Sequence, residues 1–395
     1  MTVLEAPLMM EFGIKAFLFM LIAILCIKTK ITTVPLYIIA GLLVSNLMTE
    51  VGILHGVAEV GIVLLFFLLG LEYPLDKMFS IARRISFGGT LDVILNMGVT
   101  VGIVLLFGFE LQTAILIGGV TYASSSSITL KMLEEKKRLA NPESDYMIAL
   151  LIFEDIVAPL LVTFITVLHL EEEFTLAFTG SLLLRVILML VLAVLLSKYV
   201  FRRFRDYLNQ YMNNDDIIVL FAVAAALGFS GLALYLELSE LLGAFLAGVM
   251  LAELRQTETI EDLVMPIRQV TLPFFFLWFG TSISVGEGIF ALPLMVILLL
   301  WAILGKIIVG YIGGQFFGLA PRFALRAGIS MVQRGEFSVV IAAVAVPAIR
   351  SFSGLYILIS AFIGMLFFNK AVDWSVFGTQ KIEMLKAKIK REKDI

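Results

Sequence analysis

Residues 217–235, IIVLFAVAAALGFSGLALY, run for nineteen positions without a charged side chain. A helix of that length covers about 28 Å, close to the thickness of a bilayer's hydrocarbon core. Similar runs recur along all 395 residues, and only 15% of the chain is charged. A soluble domain carries about 25% charged residues. The chain therefore reads as an all-α polytopic membrane protein. Apolar windows place about 13 helices, near 10–28, 33–48, 54–71, 86–108, 111–130, 143–168, 176–197, 215–235, 239–252, 264–283, 290–316, 323–347 and 351–370. Met1–Glu11 is too acidic and too short for the charged end of a cleaved signal, so the first run reads as a retained span. One cysteine, Cys26, excludes a disulfide framework. His55 and His169, both near expected loops, read as interfacial polar residues rather than zinc ligands.

Lysine and arginine set the expected orientation. Lys28 and Lys30, the pair Arg83 and Arg84, the cluster Lys131 to Arg138, the cluster Lys198 to Arg205, and Arg322 with Arg326 fall on alternate connections. The other connections hold only Arg350 and several acids. The expectation is a multi-pass prokaryotic plasma-membrane protein with its amino terminus outside and its carboxyl terminus in the cytoplasm. Lys15, Arg185, Lys306 and Arg334 fall inside spans.

Self-similarity divides the chain. LLFFLLGLEYPL (64–75) resembles LPFFFLWFGTSI (272–283), aligning Gly70 with Gly280; IIAGLLVS (38–45) resembles AFLAGVML (244–251), aligning Gly41 with Gly248. Two matches in one order at nearly one offset imply two six-helix repeats. The expected division is 1–170 as first repeat, 171–212 as linker helix and loop, 213–370 as second repeat and 371–395 as a basic cytoplasmic tail. An odd linker helix inverts the second half, the plan of many secondary transporters. The same offset sets Ser125 and Ser126, in GVTYASSSSITL, against Arg334 and Gly335, in GISMVQRGEFSVV. Paired polar interruptions point to crossed broken helices around a midplane site. The serines also suit plain interhelical packing. Arg334 and Glu336 suit a mutual ion pair, or countercharges for the half-helix dipoles.

LIFEDIVAPLL (151–161) puts Glu154 and Asp155 inside an apolar run. An ionised acid at the bilayer centre costs about 2.5–3.5 kcal/mol on insertion scales, so a functional role is the default reading. A helix starting at Asn141-Pro142-Glu143 brings the pair about 18 Å deep. Neighbours on a helix point about 100° apart, so the two carboxylates serve different partners. Pro159 lacks the N–H that would bond the Asp155 carbonyl, leaving a hard oxygen beside the carboxylate. Lys306, about sixteen residues into its span, is the expected partner of Glu154. Asp92 and Asn96 are weaker candidates, because Asp92 falls about two turns from the basic cluster at Arg83 and Arg84. A funnel lining or a structural pair suits Asp92 better than a ligand role. Glu237 and Glu240 are expected on an outer rim. A proton and an alkali cation competing for one carboxylate give exchange if that site alternates between the two sides.

At these residues the chain resembles the monovalent cation:proton antiporter family 2, the Kef-type and sodium/proton exchangers. The matching pieces are GIVLLFFLLGLEYPLDKM, SSSSITLKMLEEKKRL, FEDIVAPLL, LSELLGAFLAGVMLAE, PFFFLWFG and QRGEFSVVIA, spread over roughly residues 12 to 370. The resemblance implies a homodimer in which a core domain moves, elevator-like, against a dimerisation domain. It implies that Asp155 binds cation and proton, that Lys306 pairs with the preceding acid, that Ser125 and Ser126 mark the first helix crossing, and that Arg334 and Glu336 mark the second. Glu154 departs from the family, which has Asp there in electrogenic exchangers, Asn in electroneutral ones and often Gln in Kef-type members. Its charge implies electrogenic exchange. The expected substrates are Na⁺, or another alkali cation, and H⁺, with no cofactor, enzymatic activity or nucleic-acid partner. A Kef-type potassium efflux system with a separate regulatory subunit is the alternative. Kef-type proteins usually continue into a nucleotide-binding domain, whereas this chain ends at KIEMLKAKIKREKDI, a basic amphipathic stretch suited to anionic lipid or to solvent.

Overall fold

The structure, a computed structural model, describes residues 8–29, 31–45, 52–170, 176–196, 199, 214–252, 254, 256–284 and 291–393. No strand occurs among them. The helices are α1 (Leu8–Thr29), α2 (Thr33–Val44), α3 (Gly52–Glu72), α4 (Leu75–Asp92), α5 (Val99–Leu106), α6 (Leu111–Tyr122), α7 (Ser126–Glu135) and α8 (Pro142–Leu170). They continue as α9 (Leu176–Leu195), α10 (Asp215–Tyr235), α11 (Glu240–Leu251), α12 (Thr257–Thr281), α13 (Leu292–Phe317), α14 (Pro321–Ile329), α15 (Glu336–Ala343) and α16 (Pro347–Lys393). Eight helices among the described residues are long and apolar enough to cross a membrane. His169 lies at the end of α8, and its side chain is outside the described residues.

The two stretches expected to be broken helices, near 111–130 and 323–347, are interrupted in the middle. The first stops at Tyr122, runs extended through Ala123 and Ser125, and restarts at Ser126. Serine hydroxyls compete with the backbone for hydrogen bonds, so a run of four favours a helix start over a helix interior. Ser125 is the cap, its Oγ accepting from Ile128 N at 3.3 Å. The second break separates α14 from α15, over residues 330–335. The breaks are joined where Ser125 N donates to the Gln333 carbonyl at 2.9 Å.

Another segment is longer than expected. The span placed near 86–108 begins at Leu75 and runs to Leu106, with a π-helical turn at Val93–Gly98 between α4 and α5. At the other end of the chain the helix expected near 351–370 runs on, as α16 continues through Lys393. Ala371 is buried with Leu325 and Ile329 of α14.

The helices pack in two groups. In the first, α3 lies against α11 and α12, α2 against α12, and α10 against α11. In the second, α4 lies against α8 and α13, α14 against α13 and α16, and α6 against α15 and the π turn. Glycines set the closest crossings of the first group. A Cβ on Gly41 would fall 2.1 Å from the Leu277 carbonyl oxygen, and one on Gly280 would fall 2.2 Å from that of Ile38. Gly70 and Gly248 face each other the same way, each with a carbonyl oxygen 2.0 Å from its would-be Cβ. The aligned pairs of the sequence, 41 with 248 and 70 with 280, exchange one crossing for the other.

Candidate functional site

The two breaks, α8 and α13 converge on one cluster. Lys306 Nζ donates to Glu154 Oε1 at 2.8 Å, as the sequence led us to expect, and to Asp92 Oδ1 at 2.7 Å. All three side chains are 0% exposed. Asp92 keeps the place expected for it, about two turns along α4 from Arg83 and Arg84. Its side chain nevertheless faces the protein interior and is fully buried. The structural-pair reading of Asp92 is the one the geometry bears out. Asn96 Nδ2 donates to the same Asp92 oxygen at 2.7 Å.

The π turn shapes this side of the cluster. A wider turn leaves carbonyls without their usual helical donors. Leu95 O accepts from Trp301 Nε1 at 2.8 Å, and Asn96 O accepts from Thr121 Oγ1 at 3.1 Å. Gly305 makes room opposite, where a Cβ would sit 2.5 Å from Asn96 Oδ1.

Glu154 and Asp155 part company as their helical positions require. Glu154 Oε2 accepts from Ser124 N, and Oε1 from Lys306. Asp155 turns to the start of α7, where Ser126 Oγ donates to Oδ1 at 2.8 Å and to Oδ2 at 3.1 Å. It is buried, and among the described residues it has no ion-pair partner.

Arg334 and Glu336 form no ion pair with each other in the structure, so that part of the expectation is corrected. Arg334 Nε donates to the Thr121 carbonyl at 2.7 Å, at the carbonyl end of α6, and Nη1 donates to Val332 O at 3.1 Å. Glu336 sits at the opposite kind of end. It accepts from Ser125 Oγ at 2.9 Å, from Ser127 N at 3.2 Å and from Ser127 Oγ at 2.9 Å. Cation at carbonyl ends and anion at amide ends is what opposed half-helix dipoles favour. Ser124 and Ser127 are partners the sequence reading missed, although the run of four serines marked the place.

Two cavities open along the boundary of the helix groups. One, about 410 Å³, is lined by Tyr37, Leu65, Arg268 and Phe276 on one side and Ser127 and Glu336 on the other. The second, about 160 Å³, lies between His55, Glu59, Glu240 and Trp278 and, across it, Thr166 and Val340. Glu240 thus lines a cavity, while Glu237 pairs with Arg185. His55 pairs with Glu59 at 3.0 Å, and Lys15 with Glu11.

A separate buried network fixes the start of α8. Glu143 Oε1 accepts from Arg138 Nη2 at 3.0 Å and from Arg326 Nη1 at 3.3 Å. Burial holds the Arg138 guanidinium below the usual arginine range, and Glu143 beside it pulls the other way. Arg138 also stacks on Phe368 of α16, 4.5 Å from the ring centroid.

Crossed broken helices with a buried, cation-free aspartate and a lysine-bound acid beside it define an ion transporter, and the comparisons agree. Residues 16–374 match the sodium/hydrogen exchanger family, transmembrane part, and the chain belongs to that family of cation/proton antiporters. It is 45% identical over 365 residues to the ammonium/H(+) antiporter subunit AmhT of Alkalihalophilus pseudofirmus, covering 92% of this chain and 93% of that one. It is 28% identical over 380 residues to the K(+)/H(+) antiporter subunit KhtU of Bacillus subtilis, covering 91% and 92%. The sodium proton antiporter MjNhaP1 of Methanocaldococcus jannaschii shares its fold, with TM-score 0.64 at 15% identity over 93% of this chain and 96% of that one.

Proposed function

We propose that Asp155 binds the transported cation and the exchanged proton in turn. The observation carrying this reading is that Asp155 is a buried carboxylate met by a serine hydroxyl and no cationic side chain, while neighbouring Glu154 is bound to Lys306. A carboxylate without a cationic side-chain partner, a serine hydroxyl and the Asp155 carbonyl that Pro159 cannot bond offer hard oxygen ligands to a cation. Ser125, Ser126, Arg334 and Glu336 hold the helix ends around it. The two cavities between the helix groups support alternating access by movement of the α4–α8 and α13–α16 group against the other. The exchanged glycine crossings support two inverted repeats, 1–170 and 213–370, and the lysine and arginine distribution supports an outside amino terminus in the plasma membrane. A homodimer formed through the first group completes this reading.

The cation of this reading is ammonium or potassium, the substrates named for the two relatives reported above. Both of those are named as subunits, which favours a further regulatory partner here. Sodium is the second reading, supported by the hard oxygen set at Asp155. The ionised Glu154–Lys306 pair supports electrogenic exchange. Proteoliposomes with an imposed pH gradient and a trapped pH dye test all of this. NH₄⁺, K⁺, Na⁺ and Li⁺ are added separately, and Asp155→Asn vesicles give the leak of free ammonia. Cation-dependent proton flux absent from Asp155→Asn is expected; equal flux in that variant rejects the assignment.

A further inference from the structure

We propose that Asp92, Lys306 and Glu154 form a second proton site, distinct from Asp155, with the proton held on Asp92 Oδ2. The proposal rests on the reading of Asp155 as the cation site. Its first support is charge. Two carboxylates share one ammonium, and all three side chains are 0% exposed. Fully ionised, the cluster carries one uncompensated negative charge out of water, a costly arrangement. One bound proton makes it neutral while Lys306 keeps both contacts.

The second support is which oxygen has room for a hydrogen. Glu154 takes a donor on each oxygen, Lys306 Nζ on Oε1 and Ser124 N on Oε2, while Ser124 Oγ gives its hydrogen to Met331 O at 3.0 Å. A protonated Glu154 would turn its hydrogen against one of those two donors. Asp92 differs. Its Oδ1 accepts from Lys306 and from Asn96 Nδ2, whereas Asp92 Oδ2 and Asn96 Oδ1 are both buried acceptors without a donor. A hydrogen on Asp92 Oδ2 supplies the donor that Asn96 Oδ1 lacks. It closes an acid–amide ring and satisfies both orphaned atoms at once. Asn96 stands one helical turn after Asp92, on the same face, and Gly305 leaves the room that Asn96 Oδ1 occupies.

The other ionisable groups facing the cluster are Tyr122 of α6, 5.8 Å from Lys306 Nζ at its ring centroid, and Asp155 and Tyr146 of α8. Neither tyrosine supplies a cation. Loss of the Asp92 proton therefore leaves a net negative cluster next to Asp155, which favours a cation there. Proton release and cation binding are then coupled between two neighbouring sites, beyond simple competition at one carboxylate.

Infrared difference spectroscopy of the purified protein between acid and alkaline pH tests this. All variants in this measurement carry Asp155→Asn, which removes the band of the Asp155 carboxyl, and in that background the C=O stretch of a protonated carboxyl is expected to remain. It is lost in Asp92→Asn, shifted in Asn96→Ala and restored at a new position in Asp92→Glu. Retention of the band in Asp92→Asn, or its loss only in Glu154→Gln, overturns the proposal. Should Asp92→Asn fail to elute as a single folded species, the Asn96→Ala shift decides, and an unshifted band rejects the ring. In proteoliposomes Asp92→Asn is expected to move one proton fewer per cation; an unchanged ratio argues against a transported proton at Asp92. Full exchange in Asp155→Asn would instead overturn the reading of Asp155 and leave the infrared result to judge Asp92.

Discussion

Ser125 Oγ donates to Glu336 Oε2 across 2.9 Å, joining residues 211 positions apart where the two interrupted helices cross. Glu336 begins α15 and also accepts from Ser127 N at the start of α7, so one carboxylate serves the amide ends of two half-helices. Arg334, two residues earlier, serves the carbonyl end of α6. The crossing is held by one charge of each sign at the matching dipole ends.

Glu336→Ala removes the acceptor for three donors. Hydrogen bonds to charged groups contribute about 1.5–3 kcal/mol each, with partial compensation by cavity water. A marked drop in the thermal midpoint of the detergent-solubilised protein is expected, with a smaller drop for Glu336→Gln, which keeps one acceptor. An unchanged midpoint in Glu336→Ala would show that the helix ends need no countercharge.

Glu143 presents one carboxylate to two buried guanidinium groups. Its removal strands Arg138 and Arg326 near Phe368 and Ser375 of α16. Breaking a buried ion pair on one side costs about 3–5 kcal/mol. Glu143→Ala is therefore expected to lose folded yield on size-exclusion chromatography, and Glu143→Gln to lose less. Equal elution profiles for wild type and Glu143→Ala would exclude a structural role.

Gly248 and Gly231 form a matched pair of tests. A methyl group on Gly248 meets the Phe67 carbonyl at 2.0 Å, and the facing residue is another glycine, so the helices must separate. Overpacking of this kind costs about 1–3 kcal/mol or more. On Gly231 the same methyl group meets nothing within 4 Å, and alanine favours the helix by roughly 0.5–1 kcal/mol. Thermal midpoints are expected to fall for Gly248→Ala and to hold or rise for Gly231→Ala. Similar behaviour of the two would argue against the close α3–α11 crossing.

The sequence made some of this legible and hid the rest for definite reasons. Apolar runs near bilayer thickness reveal membrane helices because the bilayer fixes their length. Glu154 and Lys306 could be matched because a buried charge needs its opposite. Ser125, Ser126, Arg334 and Glu336 were found at the paired interruptions, and of the two readings of Arg334 the countercharge fits and the mutual ion pair does not. The contacts of Arg334 are backbone carbonyls, which every residue carries and no sequence pattern marks. Asp92 was undervalued for a different reason. Arg83 and Arg84 do lie about two turns away along α4, but nearness along a helix does not say which face a side chain takes, and Asp92 takes the buried one. The π turn that frees the Leu95 carbonyl for Trp301 has no residue signature of its own.

Lys306 separates the roles of its two acids. Lys306→Gln leaves Asp92 and Glu154 buried without their shared ammonium, a loss of about 3–5 kcal/mol for a one-sided break. A proton on Asp92 makes the consequences unequal. Asp92 is then already neutral, and Glu154 is the stranded charge. Adding Glu154→Gln to Lys306→Gln should restore much of the lost stability, whereas adding Asp92→Asn should restore little. Coupling between residues in contact reaches about 0.5–3 kcal/mol, well above the scatter of about 0.5 kcal/mol for independent sites. Midpoints of the three single and two double variants, measured in one detergent at one pH, give both coupling energies. Equal rescue by the two acids would place the proton on neither in preference, and stronger rescue by Asp92→Asn would place it on Glu154.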